Sequence, residues 1–178
     1  TGPIPSEISL VIIKDIVSAI NYAHNKRIAL SGYDGVLHLD LKPGNVLISK
    51  SGNVKIIDYG ISQGNNQERG NKIMGSPMYM APEQLDITRD LDNRTDIYAL
   101  GILLHQMITA SMPYSKFTTQ EELIDDINYS PLIRTQELYP GADERFQIII
   151  DKATEKDPYN RYQSCDELLE AIEELEDI

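Results

Sequence analysis

The residues able to do chemistry lie close together in the chain. Asp40 leads Lys42 by two positions and Asn45 by five, and a second aspartate, Asp58, stands just before Tyr59-Gly60. Carboxylate and amide oxygens suit Mg2+, a hard cation that takes oxygen ligands. The Lys42 ammonium would neutralise a phosphate brought near them. Between Asn45 and Asp58, Val46 to Ile57 reads as two short apolar strands around a Ser51-Gly52-Asn53 turn. Such a hairpin brings its ends together, and Asp40, Asn45 and Asp58 converge with them.

The stretch resembles the catalytic loop and metal-binding motif of eukaryotic-type protein kinases, H-R-D-L-x-x-x-N followed by D-F-G. Here the first part is His38-Leu39-Asp40-Leu41-Lys42-Pro43-Gly44-Asn45 and the second Asp58-Tyr59-Gly60. Further matches follow in the family's order. Gly75-Ser76-Pro77-Met78-Tyr79-Met80-Ala81-Pro82-Glu83 is similar to G-T-x-x-Y-M-A-P-E. The apolar run from Arg94 to Ile108 resembles the family's central helix, and Asp157-Pro158-Tyr159-Asn160-Arg161-Tyr162 resembles its D-P-x-x-R-Y segment. The resemblance runs from Ser6 to the final helix.

It implies roles. Asp40 accepts the proton of the substrate hydroxyl. Lys42 neutralises the transferring phosphate and marks the serine/threonine type. Asn45 and Asp58 hold Mg2+, and with Lys42 they hold ATP. Ser76 bonds the catalytic loop, and Gly75 to Glu83, with Tyr79 among them, build the floor for a peptide substrate. His38 and Tyr59 pack in the core that couples two lobes. Asp96 is buried and holds the catalytic-loop backbone; from the residues alone it also reads as an exposed aspartate favoured by the helix dipole. Arg161 pairs with Glu83 as a fork-to-carboxylate contact.

The sequence departs from the family's pattern at two positions. Tyr59 replaces phenylalanine, a change conservative in size. Leu39 replaces the arginine that usually precedes the catalytic aspartate and pairs with a phosphate on the activation loop. Residues 61 to 75, a polar loop placed like an activation segment, hold one hydroxyl, Ser62. The expectation is a kinase not switched on through that route.

No G-x-G-x-x-G stretch and no V-A-I-K lysine occur, the marks of the family's smaller lobe. Residues 1 to 178 are therefore expected to form a C-terminal kinase lobe with the N-terminal, ATP-binding lobe absent. The fold expected is mainly α, helical with one or two short β-hairpins at the catalytic loop. The complete kinase would use ATP and Mg2+ on protein serine and threonine hydroxyls, while the isolated chain would be inactive. A second reading is a catalytically silent, pseudokinase-like scaffold that binds a partner protein. Retention of Asp40, Lys42, Asn45 and Asp58 opposes it. A third, a small-molecule phosphotransferase of the aminoglycoside or choline kinase type, is opposed by Lys42-Pro43 and by Ala81-Pro82-Glu83 with Arg161.

Helices must position these groups. Ser6 is the expected N-cap of a helix with Ile13, Ile16, Val17, Ile20 and Ala23 on one face, ending near Lys26-Arg27. His24 reads as a satisfied, partly buried histidine. Residues 28 to 38 read as a small inserted hairpin with Asp34-Gly35 in its turn. The run 94–108 is apolar nearly all round and so buried, stopping before Pro113. Thr119-x-x-Glu122 opens a short amphipathic helix, 143–154 forms another, and Ser164-x-x-Glu167 caps a last one.

Composition bounds the class. The chain has 178 residues and a formal net charge of -12, which opposes nucleic-acid or anionic-membrane partners. The acidic C-terminal run reads as a solvated helix face or a contact for basic partners. Cys165 is the single cysteine, which excludes an internal disulfide and suits a reducing, cytoplasmic setting. No apolar run approaches the ~18 residues of a membrane span.

Overall fold

The computed structural model describes residues 2–28, 33–59, 76–114 and 116–175. Helices dominate: α1 Ser6–His24, α2 Asn93–Thr109, α3 Gln120–Tyr129, α4 Thr135–Leu138, α5 Arg145–Ala153 and α6 Cys165–Glu174. Two antiparallel ladders accompany them, β1 Arg27–Ile28 with β2 Tyr33–Asp34, and β3 Val46–Ile48 with β4 Val54–Ile56.

α2 is the axis of the fold. Only Asn93, Arg94 and Gln106 of its residues fall short of full burial. Asp92 caps its start by accepting from the Arg94 N–H at 2.9 Å, and Ala110 closes its end with φ 55°. A left-handed alanine costs roughly 1–2 kcal/mol, which the burial of α2 offsets. Gly101 lets α5 approach closely: a Cβ there would stand 2.9 Å from the Ala153 Cβ and 2.6 Å from the Thr154 Cγ2.

α1 buries Ser9, Ile13, Ile16, Val17 and Ile20, a helical stripe set against α2 and α6. Ile13, Ile16, Val17 and Ile20 share one core with Leu100, Leu104, Phe146, Ile150, Leu168 and Ile172. A second cluster, Ala81, Tyr98, Ile102, Tyr114, Leu123 and Ile127, joins α3 to the far side of α2.

Several local expectations are corrected. Pro5, not Ser6, occupies the cap position of α1, and no side chain caps that end; a proline's fixed φ starts the helix without a hydroxyl. The helix ends at His24, two residues before the Lys26-Arg27 boundary. In the inserted hairpin Arg27 pairs with Asp34 and Ile28 with Tyr33, so Asp34 is in a strand and the connection is 29–32, outside the described residues. Gly35, φ 90°, follows that strand and bonds Lys26 O at 3.1 Å. At α6 the Ser164 hydroxyl accepts from Glu167 N at 3.2 Å, but the returning Glu167 carboxylate takes Gln163 N rather than Ser164 N. α4 has no capping residue of its own; Gln147 on α5 accepts from Thr135 N and its hydroxyl at 2.9 and 3.0 Å. Loop 61–75 lies outside the described residues. None of the described helices is long and apolar enough to cross a membrane.

Candidate catalytic site

The site starts from one peptide. Leu39 has φ 63°, a left-handed conformation that costs a branched residue roughly 1–2 kcal/mol. Its neighbours hold it there. Asp96, in the first turn of α2, takes Leu39 N on Oδ1 and His38 N on Oδ2, both at 2.8 Å. Gln84 Nε2 donates to Leu39 O at 2.9 Å, while its Oε1 accepts from Ala81 N at 3.0 Å. Asp96 is 1% exposed, which excludes the reading of a solvated helix aspartate. His24 Nε2 completes its shell at 2.8 Å.

His38 is buried completely. Its Nε2 meets Ile57 O at 3.0 Å and its Nδ1 meets Asp40 N at 3.2 Å. A carbonyl needs a donor and an N–H an acceptor, so the ring is the neutral Nε2–H tautomer. The Tyr59 ring tilts against it with centroids 4.7 Å apart. Burial first, then the Asp96 charge, raises the Tyr59 phenol above its ordinary range.

The strained turn delivers Asp40. Its Oδ2 accepts from Lys42 Nζ at 2.7 Å and from Asn45 Nδ2 at 3.3 Å; its Oδ1 accepts from Ser76 N at 3.3 Å. Lys42 Nζ also donates to Ser76 Oγ at 3.3 Å. Asp40, Lys42, Asn45 and Ser76 thus form one cluster. Its carboxylate side chain is 12% exposed and its ammonium side chain 30%.

Asn45 closes the 3-10 turn Pro43–Asn45 and is nearly buried. Its Nδ2 donates to Asp40 O at 2.8 Å, which leaves Oδ1 as the side chain's remaining acceptor. Ile57 N bonds Asn45 O at 3.0 Å and continues the β3–β4 ladder, so Asp58 follows one residue past the catalytic turn. Asp58 is exposed with φ 65°. Among the described residues no hydrogen bond joins Asp58 to Asp40 or Asn45. Nor is there a group of three His, Cys, Asp or Glu able to hold a metal ion. One amide oxygen and one carboxylate fit Mg2+ that keeps waters and substrate phosphates as its other ligands.

Glu83 and Arg161 meet away from this cluster. Arg161 Nη1 and Nη2 reach the two Glu83 oxygens at 2.7 and 2.8 Å. The remaining guanidinium N–H groups go to Glu155 O, Arg94 O and Lys156 O at 2.7, 2.9 and 3.2 Å. Thr95 Oγ1 adds a bond to Glu83 at 3.0 Å. Both residues are 2% exposed. The Tyr79 hydroxyl donates to Gln106 Oε1 at 2.7 Å. Burial raises its phenol, against lowering contributions from Gln106 and Lys42. Cys165 is buried beside His24, and burial pushes its thiol up to about 12, which makes it unreactive.

The description "Protein kinase domain" matches residues 2–172. The chain belongs to the protein kinase family. Its mainly helical fold, with the short ladder beside Asp40, is that of the kinase large lobe. Similar proteins include a probable serine/threonine-protein kinase of Clostridium perfringens, 32% identical over 98% of this chain and 24% of that protein. One of Clostridium acetobutylicum is 32% identical over 88% of this chain and 23% of its own length. The serine/threonine-protein kinase PknB of Mycolicibacterium smegmatis is 30% identical over 94% and 26%. The chain spans about a quarter of the length of these relatives.

Sequence reasoning missed Gln84 and the left-handed Leu39. The only signal for Gln84 was its place next to Glu83. Leu39 was read for the guanidinium it lacks, whereas the structure uses its peptide group.

Proposed function

We propose that this chain is the catalytic half of a serine/threonine protein kinase, which moves the ATP γ-phosphoryl group to protein hydroxyls once a small lobe completes it. The observation that carries the reading is the convergence of Lys42 on both the Asp40 carboxylate and the Ser76 hydroxyl. Mg·ATP, when bound, supplies the phosphoryl group and neutralises its developing charge. Asp40 accepts the proton of the attacking serine or threonine hydroxyl. Lys42 has three N–H donors and uses two within the cluster, so one remains for a phosphate oxygen. Asn45 Oδ1 and Asp58 hold Mg2+. Ser76, Tyr79 and the segment through Glu83 set the peptide's height above Asp40, while His38, Tyr59, Asp96 and Arg161 keep these elements in place.

The hairpin supports a missing small lobe. Successive strand residues point to opposite faces, yet Leu47 and Ile48 are 50% and 53% exposed and Ile57 beside them 39%. Val46, Val54 and Ile56 pack one face on the core, so Leu47 and Ile57 lie open on the other, which fits a hairpin that another lobe covers. Without that lobe the chain binds ATP weakly and transfers phosphate negligibly; tight Mg·ATP binding in calorimetry would contradict this. Leu39 offers no cation to a loop phosphate, so the kinase is not switched on through that residue. Loss of activity on removing such a phosphate would overturn that point.

The deciding experiment is phosphate transfer from ATP to a basic protein by the full-length chain containing this segment. Transfer abolished by Asp40→Asn supports the reading. A folded protein that transfers nothing with Mg2+ present favours the scaffold.

A further inference from the structure

The first turn of α6 and the last turn of α1 are joined side chain to side chain. Asn21 Nδ2 donates to Asp166 Oδ1 at 2.6 Å, and one turn further along α1 His24 Nδ1 stands 3.6 Å from Cys165 Sγ. Residues three apart share a helix face, so Asn21 and His24 meet α6 together. The other nitrogen of the same ring, Nε2, lies 2.8 Å from Asp96 Oδ2. That oxygen also takes His38 N, and Asp96 Oδ1 takes Leu39 N, both at 2.8 Å. An unbroken line of side chains, Cys165 to His24 to Asp96, therefore runs from α6 to the left-handed Leu39 peptide. It is shut off from water: Cys165 and Asp96 are 1% exposed and the His24 side chain 7%.

We infer that Cys165 and His24 are positioning residues for phosphoryl transfer, a relay through which α6 sets the catalytic turn by way of Asp96. Its effect on rate presupposes the kinase reading above; its effect on the backbone does not. Neither residue touches the reacting groups. Asp96 must offer its two oxygens to two successive N–H groups at once, yet the last torsion of a carboxylate is broad. The His24 bond narrows it. An imidazole is itself aimed by what its far nitrogen meets, and here that partner is the Cys165 thiol.

A thiol suits the position. It donates S–H to a bare Nδ1, and its sulfur accepts from a protonated one. Burial, then the Asp96 and Asp166 charges, keeps the thiol protonated, so its hydrogen is there to give. A methyl group in its place would do neither and would leave Nδ1 without a partner inside the protein.

The test uses the full-length chain with Mg·ATP and a serine-containing peptide. Cys165→Ala is expected to lower kcat about threefold, the scale of one weak hydrogen bond, with KM for ATP and for the peptide unchanged. Cys165→Ser keeps a donor and an acceptor and should return most of that rate. His24→Leu should cost about tenfold, and in that background Cys165→Ala should cost nothing further, because its effect passes through the ring. Hydrogen exchange of the peptide spanning His38 and Leu39, read by mass spectrometry, should quicken severalfold in Cys165→Ala and not in Cys165→Ser. That exchange needs no activity, so it decides the inference even where the full-length chain transfers no phosphate and the kinase reading falls. Unchanged exchange in Cys165→Ala overturns the relay. So does a Cys165→Ala loss that is as large in the His24→Leu background, or one that Cys165→Ser fails to relieve, since either would mean that packing alone ties α6 to the catalytic turn.

Discussion

Two charged clusters in this lobe are built to opposite specifications. At Glu83–Arg161 both residues are 2% exposed, and the guanidinium N–H groups find partners at 2.7–3.2 Å. At Asp40–Lys42 the ion pair is tight at 2.7 Å, but the bonds to Ser76 and from the Asn45 amide to the carboxylate stretch to 3.3 Å, and the ammonium side chain is 30% exposed. A desolvated pair with no open valence has nothing left to offer a ligand, and its task is to hold segments together. A partly wet cluster with a spare donor can exchange its internal bonds for bonds to substrate. Family motifs contain both; burial and valence tell them apart.

Substitutions can break this contrast. The largest effect is expected for Asp40→Asn in the full-length chain: phosphate transfer should fall by about 10²–10⁴, while the denaturant midpoint barely moves. A large loss of stability would mean that Asp40 belongs with the structural pair. For Arg161→Met the outcome should reverse, with about 3–5 kcal/mol lost in urea unfolding because Glu83 is left charged and buried. Replacing both, Glu83→Leu with Arg161→Met, should recover most of that loss. Asp96→Leu comes next. It strands the His38 and Leu39 N–H groups, at about 1–3 kcal/mol each, and hydrogen exchange at those amides should rise.

The smallest effect concerns His105. This histidine is fully buried, with Nε2 on Ile133 O at 2.9 Å, and burial lowers its pKa below the ordinary 6.5. The unfolded chain then binds the proton more readily than the folded one, so stability rises with pH across this window. Its contribution is complete above 6.5 and is lost as pH falls from there through the lowered folded value. Thermal melts of His105→Asn should show a flatter slope below about pH 6.5 than the unsubstituted chain. An unchanged slope would show that other groups carry it.

Much of this architecture was legible in the chain. Apolar spacing located α1, α2, α3, α5 and α6, since each buries a stripe or, for α2, nearly its whole surface. Motif order pointed to the pairing of Glu83 with Arg161, although 78 positions separate them. What was not legible depends on partners distant in sequence. α4 is capped by Gln147 from another helix, so no local residue announces it. The hairpin register slipped because Asp34-Gly35 has turn chemistry, yet Asp34 is drawn into pairing with Arg27. Leu39 has no intrinsic reason to turn left-handed; only Asp96 and Gln84, brought from elsewhere, make that peptide stable.

The span between Glu83 and Arg161 also sets a clock for a chain made on the ribosome. Translation at about 5–20 residues per second puts roughly 4–16 s between the two residues. Throughout that interval the segment carrying Asp40, Asn45 and α2 can emerge, but the carboxylate it must bury has no counter-ion. α2 can meet α1 during that interval, but its bond to Arg161 forms only at the end of it.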